Sequence, residues 1–426
     1  LGEKQKALQF YDQALPLYRA VGDRRGEAAT LRGIGGVYSD LGEKQKALQY
    51  YDQALPLYRA VGDRAEEAGT LNNIGGVYSS LGEKQKALQY YDQALPLYRA
   101  VGDRRGEAVI LNNIGGVYSN LGENQKALQY FNQALPLTRA VGDRAEEAGT
   151  LNNIGGVYSY LGEKQKALQF LNQALPLLRA VEDRVGEATT LNNIGAVYSD
   201  LGEKQKALQF YNQALPLRRA VGDRGGEAAT LGNIGAVYSD LGEKEKALQF
   251  LNQALPLLRA VGDRDIEATT LNNVGIVYSD LGEKQKALQY FNQALPLNRA
   301  VGDRYGEATT LNNVGMVYSD LGEKEKALQF HNQALPLRRA VGDRGGEATT
   351  LNNIGAVYSD LGEKQKALQF YKQALPLFRA VGDRRGEAAT LHNIGAVYSD
   401  LGEKQKSLQY YNQALPLRGI AGIRAK

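Results

Sequence analysis

The chain has 426 residues, 43% of them hydrophobic and 23% charged, which is the composition of an ordered globular protein and speaks against disorder. It has no cysteine, so disulfides, thiolate nucleophiles and cysteine metal sites are excluded, and no apolar run approaches the roughly 18 residues of a membrane span. The formal net charge of +4 arises from scattered substitutions rather than from the clustered basic face that nucleic acid requires.

The sequence repeats every 40 residues. "LGEKQKAL" or a close variant opens at Leu1, Leu41, Leu81 and onward to Leu401. A fixed period of this length indicates one continuous array rather than the three domains that length alone suggests. The chain opens at Leu1 in mid-unit, without a methionine, which reads as a piece of a longer protein. Its first predicted helix, about Lys4 to Ala20, is an orphan within residues 1–23. Ten tandem hairpins are expected over residues 24–420. An irregular end is expected at 421–426; in the closing "LRGIAGIRAK", Gly419, Ile420 and Ile423 replace the Arg, Ala and Asp of earlier units.

Within a unit, the spacing predicts one helix from about Lys44 to Ala60, on which Ala47, Leu48, Tyr51, Ala54 and Leu55 form the apolar stripe. Gly62 fits a helix-ending glycine and Asp63 the cap of a second helix, about Arg64 to Ser79, with Ala68, Leu71, Ile74, Gly75 and Tyr78 inward. Gly82 supplies the next stop. No stretch alternates with strand period, so the class is all-α. All eleven prolines share one phase, Pro16 to Pro416, inside the first helix. An interior proline costs about 3 kcal/mol. The apolar pattern continues past it through Leu57, Ala60 and Val61, which predicts a kink rather than a stop.

The spacing of Leu71, Ile74, Gly75, Tyr78, Leu81, Gly82, Ala87, Tyr91, Ala94 and Leu95 resembles the tetratricopeptide repeat, here with 40 residues in place of the common 34 or so. The longer form is similar to the repeats of kinesin light chain and of the Pins/LGN adaptors, and such near-identical arrays are typical of filamentous bacteria. The resemblance implies a right-handed α-solenoid superhelix of about ten antiparallel hairpins, with a concave groove lined by the second helix of each unit. It implies a cytoplasmic scaffold that binds proteins, not an activity. It also allows a regulatory or sensor array of a larger signalling protein whose effector domain lies elsewhere. Polar capping helices are not seen at either end of the array, so end-to-end self-association is a weaker third expectation.

On the second helix, Gly69, Asn73, Gly76 and Ser80 share a stripe opposite the apolar face. The asparagine recurs as Asn73, Asn113, Asn153, Asn193, Asn233, Asn273, Asn313, Asn353 and Asn393. Asparagine in a helix costs roughly 0.6 kcal/mol relative to alanine, so nine of them forgo about 5 kcal/mol. Each amide offers two donors and an acceptor, enough to hold an extended peptide by its backbone. The alternatives are that each bonds the neighbouring repeat, or that duplication copied it. The resemblance supports the ladder, since related superhelices carry asparagine at this phase.

The other phases vary and would set specificity. Units one to four present glycine and mostly uncharged groups, including Ser80, Asn120 and Tyr160. Later units present Asp200, Asp240, Asp280, Asp320, Asp360 and Asp400 around apolar Ile276 and Met316. These predict a basic partner segment over the C-terminal half, unless the aspartates merely precede a turn.

Catalysis needs unlike residues converging once, whereas here almost every polar residue recurs. The only histidines, His331 and His392, fall at different phases of different helices. No phosphate-binding loop is present, and "GIGGVY" follows no strand, so it is no dinucleotide fingerprint. No catalytic residue, metal or cofactor is expected, and neither a nucleic acid nor a membrane partner.

Overall fold

A computed structural model describes residues 2–423, with side chains for 2–417. Twenty-one helices follow one another. In chain order they are α1 (Gly2–Val21), α2 (Arg24–Asp40), α3 (Lys44–Val61), α4 (Arg64–Ser80), α5 (Lys84–Val101), α6 (Arg104–Asn120) and α7 (Asn124–Val141). Next come α8 (Arg144–Tyr160), α9 (Lys164–Ala180), α10 (Arg184–Asp200), α11 (Lys204–Ala220), α12 (Arg224–Asp240), α13 (Lys244–Val261) and α14 (Arg264–Asp280). The last seven are α15 (Lys284–Val301), α16 (Arg304–Asp320), α17 (Lys324–Ala340), α18 (Arg344–Asp360), α19 (Lys364–Val381), α20 (Arg384–Asp400) and α21 (Lys404–Ile423). Among the described residues there is no strand.

The boundaries follow from turn chemistry. α3 ends where Gly62 takes φ 71°, a left-handed conformation that glycine adopts without steric cost. Asp63 then caps α4, its side chain accepting from the Glu66 amide at 3.3 Å. The same device recurs from Asp23 to Asp383. The prolines do not stop the helices; α3 runs through Pro56. Pro56 and Asp52 both lie on the exposed face, so the carbonyl that loses its helical partner faces water. At the C-terminus the expected irregular segment 421–426 is corrected in part, because α21 continues to Ile423. Residues 424–426, and the side chains of Gly419, Ile420 and Ile423, lie outside the described residues.

The chain divides into two compact units, residues 1–197 and 198–426. In the first, each second helix packs most closely on the first helix that follows it, giving hairpins α2/α3, α4/α5, α6/α7 and α8/α9. In the second, the same pairing gives α12/α13, α14/α15, α16/α17, α18/α19 and α20/α21. The boundary falls within α10.

The core repeats with the sequence. Ala68, Leu71, Ile74 and Val77 of α4 are buried against Ala87, Leu88, Tyr91 and Tyr98 of α5. Glycine at the Gly35 phase permits the close approach. A Cβ on Gly35 would stand 2.7 Å from the Tyr51 ring, and one on Gly155 would stand 2.7 Å from Leu171 Cγ. Tyr78, expected inward, is half-buried and stacks on Tyr90 with ring centroids 5.4 Å apart. Lys86 lies over the Tyr78 ring while paired with Glu83. Across each turn from a first to a second helix, an arginine meets a glutamate, as Arg59 meets Glu67 at 2.7 Å.

Candidate functional site

The asparagine row lies along the second helices, half-buried except for Asn153, which is exposed. Its members bond from one repeat to the next. Asn113 donates to Asn72 Oδ1 at 2.9 Å and Asn193 to Asn152 Oδ1 at 3.1 Å in the first unit. In the second, Asn313 donates to Asn272 at 3.2 Å, Asn353 to Asn312 at 3.2 Å and Asn393 to Asn352 at 3.4 Å. The acceptors Asn72, Asn152, Asn272, Asn312 and Asn352 are the first asparagines of "Leu-Asn-Asn" doublets and lie outside the stripe expected from sequence. The signal was present: adjacent asparagines sit 100° apart on a helix, one facing the neighbouring helix and one facing the groove. Each rung uses one N–H and leaves a second N–H and the carbonyl of the donating amide. Asn73 and Asn273 have no asparagine to meet, because Arg32 and Gly232 occupy the partner positions.

One rung between two asparagines is open. Asn112 turns its Nδ2 to Thr150 Oγ1 at 2.8 Å, and Thr150 has spent its own hydrogen on the Glu146 carbonyl. Asn112 Oδ1 is left buried without a partner. Asn153, which would close the rung, faces a cleft of about 340 Å³. Gly116, Asn120, Asn153, Gly156, Tyr160 and Asn193 line it. The two glycines keep its floor flat, since a methyl on either meets nothing within 4 Å. Tyr160 stands 84% exposed at its rim.

The acidic row is a correction. Asp240, Asp280, Asp320, Asp360 and Asp400 are not free carboxylates. Each is ion-paired with a lysine of the preceding repeat: Lys204, Lys244, Lys284, Lys324 and Lys364 in turn. The lysine starts the helix that follows the previous second helix, and its stem reaches the end of the next one. Period-40 spacing hid this pairing, because partners 36 residues apart meet only once the hairpins stack. Asp200 ends α10. Ile276 is half-buried against the core around Phe291, while Met316 is 47% exposed and accepts a weak contact from Asn312 Nδ2 at 3.7 Å.

The histidines do not converge. His331 is fully buried, with Nδ1 3.0 Å from Asn312 Oδ1 and Nε2 unpartnered, and burial lowers it to about 4. His392 packs tilted on Tyr411 at 5.1 Å. Among the described residues, no group of histidine, aspartate or glutamate could hold a metal, and no helix is long and apolar enough to cross a membrane.

Tandem antiparallel hairpins with a residue stripe of fixed phase on every second helix define an α-solenoid repeat protein. The profile of the tetratricopeptide repeat matches in ten overlapping stretches, from 1–60, 45–100 and 66–140 through to 306–380 and 346–419. The chain belongs to the tetratricopeptide repeat family. No curated protein sequence matches it. Solved structures share the fold. The apo quorum sensor NprR from B. thuringiensis is 17% identical, with a TM-score of 0.60 over 85% of this chain and 99% of its own. A Rap protein complexed with Competence and Sporulation Factor is 15% identical, with 0.59 over 84% and 99%. A signal transduction ATPase with a tetratricopeptide repeat sensor, PH0952 from Pyrococcus horikoshii, is 16% identical, with 0.62 over 83% of this chain and 54% of its own.

Proposed function

We propose that this array is a scaffold that binds extended peptide segments along its second helices, the asparagine amides engaging the peptide backbone. The observation that carries the proposal is the open rung at Asn153. There an amide that elsewhere bonds its neighbour faces a cleft with a flat glycine floor and an exposed aromatic rim. Closed rungs still offer a carbonyl and one N–H each, so the row extends the site on both sides. At a net 0.5–1.5 kcal/mol per hydrogen bond, a few rungs yield affinities near micromolar after the peptide is ordered. A basic segment over the second unit would have to displace Lys204 to Lys364 from their aspartates, which works against the basic partner expected from sequence.

The test is selection of random twelve-residue peptides displayed on phage, on the full chain and on N153A, both checked by circular dichroism. We expect enriched peptides whose affinity falls about two- to tenfold in N153A, the loss of one hydrogen bond. No enrichment, or equal binding to both, removes the groove as a peptide site.

A second reading is a sensor array joined to an effector domain. It is supported by the fold shared with the PH0952 sensor, of whose length this chain covers about half. Self-association is a third reading. Sedimentation at rising concentration tests it.

A further inference from the structure

The ladder of lysines and aspartates is broken in the first unit. Lys4 keeps its aspartate, Asp40, at 3.7 Å. At the next two positions the aspartate is replaced by Ser80 and Asn120, but the lysines remain as Lys44 and Lys84. At the following position both partners are neutral, Asn124 and Tyr160. Lys44 donates to the Ser39 carbonyl at 2.9 Å and Lys84 to the Ser79 carbonyl at 2.8 Å. Neither makes an ion pair among the described residues. The nearest carboxylates in sequence are taken, Glu43 by Lys46 and Glu83 by Lys86. Both ammonium groups are half-buried on their stems.

We propose that the first unit recognises an acidic peptide segment, with Lys44 and Lys84 each receiving one carboxylate in the place that aspartate fills elsewhere. The inference rests on the reading that peptides lie along the second helices, and it assigns their charge. Asn120, which stands where Lys84 would find its aspartate, also lines the cleft below Asn153 and Tyr160. A segment anchored in that cleft therefore passes Lys84 first and Lys44 one repeat further on. Equivalent helices α4 and α6 touch, so one repeat is about one helix-packing distance, 8–10 Å. An extended chain covers that in about three residues at roughly 3.3 Å each. Acidic side chains spaced three apart match the two lysines, and the charge sign is opposite to that expected from the aspartates of the second unit.

The experiment measures fluorescence anisotropy of three labelled peptides, (Gly-Ser-Glu)4, (Gly-Ser-Gln)4 and (Gly-Ser-Lys)4, on the full chain at low and high salt. We expect the glutamate peptide to bind at least tenfold more tightly than the other two, with the advantage falling as salt rises. The decisive variant is S80D/N120D, which writes the second unit's own residues into the first and so keeps the fold. It should lower glutamate-peptide affinity at least tenfold, as should K44Q/K84Q, while K284Q/K324Q leaves it unchanged. Unchanged affinity in S80D/N120D, or no binding of the glutamate peptide at low salt, overturns the inference. Equal binding of the glutamate and glutamine peptides, both weakened by N153A, overturns it while leaving groove binding intact. Tighter binding of a single-stranded oligonucleotide through the same lysines also overturns it, in favour of a phosphate backbone.

Discussion

Glu182 is the one non-glycine residue with positive φ among the described residues, at 56°, where the other first-to-second-helix turns carry glycine at φ near 70°. A side chain in the left-handed region costs about 1–2 kcal/mol. E182G should therefore stabilise the α9–α10 turn by about 1 kcal/mol, read as slower amide exchange at Asp183 and Arg184. His331 occupies a position that is aromatic or leucine in the other units, and burial keeps it neutral. Its folded value of about 4 lies below the unfolded value of about 6.5, so the unfolded chain takes up the proton first. Stability is then full above pH 6.5 and declines as pH falls toward 4, by up to about 3 kcal/mol. H331F, which copies Phe131 and Phe291, should remove that decline in melts recorded at pH 7 and pH 4.5. At this scale the sequence was half legible. The glycine and aspartate caps announce themselves, because they act within four residues. The burial of His331, and of Arg338 against Asp343 and the Tyr305 ring, needed the neighbouring helix.

The helices show why small residues recur. In α8, Gly155 and Gly149 are chemically identical and physically opposite. A methyl on Gly155 would meet Leu171 Cγ at 2.7 Å and the Ala167 carbonyl at 3.2 Å, and that backbone oxygen cannot swing away. G155A should cost about 1–3 kcal/mol through overpacking. A methyl on Gly149 meets nothing, so G149A should gain up to about 1 kcal/mol of helix propensity. Thermal melts of the two variants should shift in opposite directions. The helix boundaries were predictable to one or two residues. The lysine–aspartate pairs were not, since they join the start of one helix to the end of another 36 residues on, and no local period reports that. The asparagine doublet falls between these cases: its periodicity is plain, but whether it bonds a neighbour or a ligand is decided by rotamers.

Within each compact unit, and among the described residues, a hairpin touches only its sequence neighbours, so stability there should behave as a sum of nearest-neighbour terms. Hydrogen exchange on G155A should show lost protection in α8, α9 and adjoining helices, with α18 to α21 unchanged. Loss spread evenly over the chain would show one cooperative block instead. The array class and its period were evident from sequence, because the repeat is nearly exact. The matching of the aspartates by lysines was not evident, because the partners lie 36 residues apart and meet only once the hairpins stack.

The contact of glycine with a ring or a leucine recurs from repeat to repeat and makes the docking faces of the hairpins alike. Because each interface is built from the same residues, a hairpin meets several almost equivalent docking faces during folding. Skipping one neighbour leaves a loop of about 40 residues, whose closure cost grows only slowly with length. Core packing alone therefore discriminates weakly between the right neighbour and the next. What distinguishes them is the sparse set of odd residues, such as Arg32 bridging to Glu66, Asn124 in place of lysine, and the buried His331. Replacing these exceptions by the residues of the other repeats should slow refolding and raise the misdocked fraction, read as additional refolding phases at about pH 7.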